Sequence, residues 1–60
     1  MKRKAIIKTL AEAGCTFKEG GSHTRVYDRN GVYRAAIPRH AEVNELTVKA
    51  IAKQTGVKLQ

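Results

Sequence analysis

The sequence predicts a small α+β domain in the order helix, three-stranded antiparallel meander, helix. Three observations carry that reading. Ile6, Ile7, Leu10 and Ala13 recur at helical spacing near the start of the chain. Asn30-Gly31 stands between two segments suited to paired strands. Helical spacing returns after Asn44, in Leu46, Val48, Ile51, Ala52 and Thr55.

The first helix covers residues 2–13, with Lys4, Lys8 and Glu12 on its polar side. Glu12 follows Lys8 by four positions, the less favourable orientation of such a pair. Gly14 supplies the left-handed residue that stops the helix. Residues 15–19 read as a short strand with Cys15 and Phe17 on one face, broken by Gly20-Gly21-Ser22. Residues 24–29 and 32–37 form the next two strands. Asn30-Gly31 joins them as a two-residue turn, because both of its positions need positive φ. Pro38 ends the third strand, since it cannot donate to a ladder. Asn44 caps a last helix that begins at Glu45. Gly56 ends that helix, and Val57 folds back on it. Both helices must cover the same face of the sheet, because nothing else is long enough to form a core.

A two-residue turn assigns every residue of the hairpin to a face. Arg29 pairs with Val32, Tyr27 with Arg34, Val26 with Ala35, Arg25 with Ala36 and Thr24 with Ile37. The inner face then holds Thr24, Val26, Tyr33, Ala35 and Ile37. The open face holds His23, Arg25, Tyr27, Arg29, Arg34 and Ala36.

Size and charge narrow the function. The 60 residues make one domain, spanning 1–60, with 12 Lys and Arg against five Asp and Glu and a formal charge of +7. A chain this short buries only about 60% of the surface its unfolded form exposes. That leaves no room for a two-lobed enzyme, a Rossmann unit or an enclosed cofactor pocket. No apolar run approaches the roughly 20 residues of a membrane span, and the basic start lacks the apolar stretch of a signal peptide. Cys15 is alone, so no internal disulfide forms, and one Cys with two His argues against a structural zinc. The expected setting is the cytoplasm, with no membrane, metal or cofactor. The charge points to a polyanion, of which nucleic acid is the commonest. The competing reading is a basic surface serving solubility alone. Residues 1–20 and 21–40 each carry +3, and residues 41–60 carry +1.

Gly20-Gly21-Ser22-His23 reads as a loop that lets a phosphate approach the backbone and brings an imidazole to the sheet edge. It is not a Walker loop, because no Lys-Ser/Thr and no helix follow. Imidazole is the side chain best matched to proton transfer near neutral pH. RNA carries its own nucleophile, the 2′-hydroxyl. A base beside cationic side chains can therefore cleave RNA at a shallow site. The competing reading makes His23 an ordinary loop histidine. Extending the ladder would put His40 at the same end of the sheet as His23, as a partner acid. An interruption of the register at Pro38 favours the other reading, in which His40 shapes the connection into the last helix.

These pieces together resemble a known family, the HicA toxins, over essentially the whole chain. The resemblance rests on Leu10-Ala11-Glu12-Ala13-Gly14, Gly21-Ser22-His23, Pro38-Arg39-His40 and Ile51-Ala52-Lys53-Gln54-Thr55-Gly56-Val57. Where many members carry Gly-Thr at the start of the last helix, this chain has Glu45-Leu46-Thr47. The resemblance implies a double-stranded-RNA-binding-domain-like α-β-β-β-α fold. It implies a metal-independent endoribonuclease acting on mRNA, with His23 as the catalytic residue. It also implies a HicB antitoxin that covers that histidine. The face argument adds Lys18, Arg25 and Arg34 as cations for the phosphate, and Tyr27 to stack or orient. Gly21 and Ser22 join them from the loop. Two other readings stay open: a non-catalytic RNA-binding module of the same fold, and a protein that only binds an acidic partner. The neutral-to-acidic Asn44-Glu45-Leu46-Thr47 counts against duplex binding through that helix end.

Overall fold

The computed structural model describes residues 1–59. Helix α1 (Arg3–Glu12) is followed by strands β1 (Thr16–Glu19), β2 (His23–Tyr27) and β3 (Tyr33–Pro38), then by helix α2 (Glu45–Thr55). The strands form one antiparallel sheet in the order β1-β2-β3. The expected α-β-β-β-α architecture is therefore the observed one.

The helix ends follow their capping residues. Gly14 sits at φ +93°. Its N–H donates to the Ala11 carbonyl at 3.0 Å, and the Cys15 N–H donates to Leu10 at 3.0 Å. This is a Schellman closure, and it removes Cys15 from the strand by engaging its N–H. The Asn44 side chain accepts from the Thr47 N–H at 2.9 Å. Gly56 closes α2 at φ +75°, donating to the Ala52 carbonyl at 2.8 Å.

One face of the sheet is dry. Val26, Ala35 and Ile37 are buried with Ile6 and Leu10 from α1 and Val48 and Ile51 from α2. Val43 and Leu59 complete this core, and Cys15 and Phe17 pack against it from their shared side of the chain. Leu46 departs from the expected apolar side of α2, being 80% exposed. It lies in the first turn of α2, whose buried residues are Val48 and Ile51.

The hairpin turn corrects the expected one. Within the turn Gly31 alone takes positive φ, at +80°, and among the described residues no non-glycine does. The turn instead spans Asp28–Gly31, closed by the Gly31 N–H on the Asp28 carbonyl at 2.9 Å. Asp28 and Val32 then end the loop, with the Asp28 N–H on the Val32 carbonyl at 2.9 Å. The Asp28 carboxylate secures it by accepting from the N–H of Asn30 at 2.8 Å and of Val32 at 3.0 Å. Asp at the first and Gly at the fourth position are what a type I turn prefers.

A three-residue loop shifts the pairing by one. Tyr27 therefore opposes Tyr33, not Arg34. The ladder then slips between Val26 and Tyr27, leaving Arg34 as an extra residue. From Val26–Ala35 to Thr24–Ile37 the pairing is the one the sequence predicts, and it continues to His23–Pro38. Pro38 thus lies within the strand and does not interrupt its register. The bulge moves Tyr33 out of the expected inner set: it is 53% exposed and stands on the open face beside Tyr27.

Candidate functional site

Three rows cross the open face of the sheet. At one end His23 opposes Pro38. In the middle Lys18, Arg25 and Ala36 are aligned. At the other end Thr16, Tyr27 and Tyr33 are aligned. Between the ends lies a shallow cleft of about 230 Å³. Gly20, Gly21, Ser22, His23, Arg25, Tyr33 and Ala36 line it.

The loop before β2 sets the histidine. The Gly20 N–H donates to the His23 carbonyl at 2.9 Å, which makes Gly21-Ser22 a two-residue connection. Gly20 must be glycine, because a Cβ there would stand 2.9 Å from that same carbonyl oxygen. Gly21 is different: a Cβ would meet nothing within 4 Å, and its φ lies outside the left-handed range. The fold has no steric need for glycine at Gly21. Ser22 Oγ lies 2.9 Å from His23 Nδ1, so one ring nitrogen is engaged and Nε2 has no protein partner among the described residues.

A polar relay ties this loop to the rest of the domain. Arg3 donates to the hydroxyl of Thr24, a buried residue 1% exposed. Thr24 donates to Glu19 Oε1 at 2.9 Å. Arg39 reaches the same oxygen at 2.8 Å and also donates to the Gly20 carbonyl at 2.5 Å. Strands β1 and β2, helix α1 and the segment after β3 are thereby joined beneath the loop. Such exposed ion pairs add little stability, so their effect is chiefly on position.

The cations of the open face differ in availability. Arg25 enters the cleft and, among the described residues, has no carboxylate or hydrogen-bond partner. Lys18 is exposed beside it in the same row but does not line the cleft. Arg34 is engaged by Asp28, with Nε 2.8 Å from Oδ2. Two backbone N–H groups and Arg34 hold the Asp28 carboxyl below its ordinary value. Arg34 and Tyr27 both lie outside the cleft lining, Tyr27 meeting Tyr33 edge to face with ring centroids 5.8 Å apart. His40 lies beyond β3, exposed and outside the cleft lining.

Of the expected site residues, Gly21, Ser22, His23 and Arg25 are thus brought together. The sequence reading turns Tyr33 inward and gives Arg39 no place at the site, whereas Tyr33 lines the cleft and Arg39 holds the Gly20 carbonyl. Asp28, three residues before Gly31, is the signal that could have placed Tyr33 on the open face.

The chain matches the family model described as the HicA toxin of bacterial toxin-antitoxin, over residues 3–57. It belongs to the HicA toxin family. No curated protein and no solved structure matches it. The HicA match takes in both helices, all three strands and every residue of the cleft. Membership gives the chain the toxin role in a toxin–antitoxin pair, with an antitoxin as its counterpart. Among the described residues, no helix is long and apolar enough to cross a membrane.

Proposed function

We propose that this HicA chain is an endoribonuclease that cleaves mRNA in the cytoplasm, with His23 as its catalytic residue. One observation carries the reading. An exposed imidazole, with Nδ1 engaged by Ser22, shares a cleft with the guanidinium of Arg25, which is unpaired among the described residues.

The chemistry follows from those groups. His23 Nε2 takes the proton of the 2′-hydroxyl, and the 2′-oxygen attacks the adjacent phosphorus. Arg25, with Lys18 at the rim, offsets the charge that builds on the phosphorane. Gly21 presents no side chain, so a phosphate can reach the loop backbone. The bond to the 5′-oxygen breaks, and that oxygen receives the proton back from the imidazolium. The products are a 2′,3′-cyclic phosphate and a free 5′-hydroxyl. Nucleophile and base are both present without a metal, so the reaction proceeds in EDTA.

An open cationic face must be covered when cleavage is unwanted. A HicB antitoxin seated over His23 and Arg25 would do so by excluding the phosphate. Incubation of purified toxin with mRNA in EDTA tests the activity, and addition of the antitoxin tests the cover. Uncleaved mRNA in the first, or undiminished cleavage in the second, contradicts the corresponding part.

A further inference from the structure

We propose that Tyr33 forms a nucleobase subsite, on which one unpaired base of a single-stranded RNA stacks next to the scissile phosphate. The inference rests on the ribonuclease reading and names the substrate form that the site takes.

Four observations meet at this residue. Tyr33 is a large ring, 53% exposed, on the wall of the cleft that holds His23 and Arg25. It faces outward only because Arg34 is an extra residue in the ladder; regular alternation would have turned it into the core. Bulges recur next to active sites, where they re-aim a side chain. The ring is also braced, since Tyr27 meets it edge to face at 5.8 Å and 65°. A braced ring loses little freedom when a base settles on it. Ala36 adds the space, because this residue of the cleft lining, paired with Arg25, carries only a methyl group.

The arrangement is a phosphate site with an aromatic platform beside it. Sequence-tolerant binding of single strands uses the same pair of elements, a cationic groove and a π-face. In a duplex the base faces are already stacked on one another, and a protein reads shape and phosphates instead. The platform therefore selects an unpaired nucleotide.

Binding can be read without cleavage by using a short, labelled, fully 2′-O-methylated RNA, which has no nucleophilic hydroxyl. Tyr33→Ala should weaken its binding about tenfold, within the range of a lost base–aromatic stack. Tyr33→Phe should bind within about twofold of the wild type, because the π-face remains. A single abasic nucleotide moved along the strand should weaken wild-type binding at one position, and that penalty should vanish in Tyr33→Ala. Tyr33→Phe should melt like the wild type, and Tyr33→Ala, which gives up the edge contact with Tyr27, should melt lower but stay folded at the binding temperature. Unchanged binding by Tyr33→Ala overturns the subsite, as does an abasic penalty equal in both proteins. Tighter binding to a duplex of the same sequence also overturns it. Cleavage of unmodified RNA, measured separately, keeps the two readings apart: a protein that binds as described but never cuts refutes only the ribonuclease reading.

Discussion

Ser22 Oγ lies 2.9 Å from His23 Nδ1, between neighbours in the chain where the central strand β2 begins. A neutral ring that donates its Nδ1–H to Ser22 keeps its Nε2 lone pair for a substrate proton. Removing the hydroxyl leaves the imidazole in place but free to turn. Ser22→Ala should therefore lower the cleavage rate by about fivefold, the equivalent of one hydrogen bond of about 1 kcal/mol. Single-turnover kinetics check this, and a rate equal to the wild type would remove Ser22 from the site.

The two glycines of the loop should behave in opposite ways. Gly20→Ala places a methyl 2.9 Å from the His23 carbonyl oxygen. It should destabilise the fold by about 1–3 kcal/mol, as overpacking does. Gly21→Ala meets nothing within 4 Å and should leave the melting temperature unchanged. It should nevertheless slow cleavage, because its methyl stands where a phosphate would approach the backbone. Denaturant titration and a cleavage assay on the two variants separate the effects.

Asp28 gives the fold an acid sensitivity whose sign is set by its partners. The Val32 N–H first, and then Arg34, hold its carboxyl below the ordinary 3.8. A depressed carboxylate adds stability that is fully present above the unfolded value and is lost as pH falls through the folded value. Thermal melts from about pH 5 to about pH 2 should show a steeper loss for the wild type than for Asp28→Asn. Glu42, held down by the Met1 ammonium 2.7 Å away, keeps its own share of the loss in both proteins.

Much of this architecture was legible because local signals agreed. Gly14, Asn44 and Gly56 each mark a helix end by a capping mechanism that needs no tertiary context. His23 and Arg25 were placed on one face because the pairing beyond Val26 follows the predicted register. Tyr33 stands on the face opposite to the expected one because Asn30-Gly31 competes with Asp28-Arg29-Asn30-Gly31 as a turn signal, and the Asp28 carboxylate decides between them. The Arg39 brace could not be read from the sequence. It joins Arg39 to Glu19 and Gly20, and only the assembled sheet brings those residues together.

Two apolar positions of α2, Leu46 and Ile51, should separate clearly on mutation. Leu46 is 80% exposed, so Leu46→Gln should change stability by no more than about 0.5 kcal/mol. Ile51 is 1% exposed in the core, so Ile51→Ala should cost about 2–5 kcal/mol. Urea unfolding of both variants checks the orientation of the helix against the sheet.

The most direct test of the central claim is cleavage of mRNA in EDTA by the wild type and by His23→Ala, with both folds verified by circular dichroism. The account predicts EDTA-resistant cleavage by the wild type. It predicts a rate lower by about 10²–10⁴-fold in the variant, the contribution of a positioned acid–base group. Equal cleavage by the two proteins would contradict the assignment of His23.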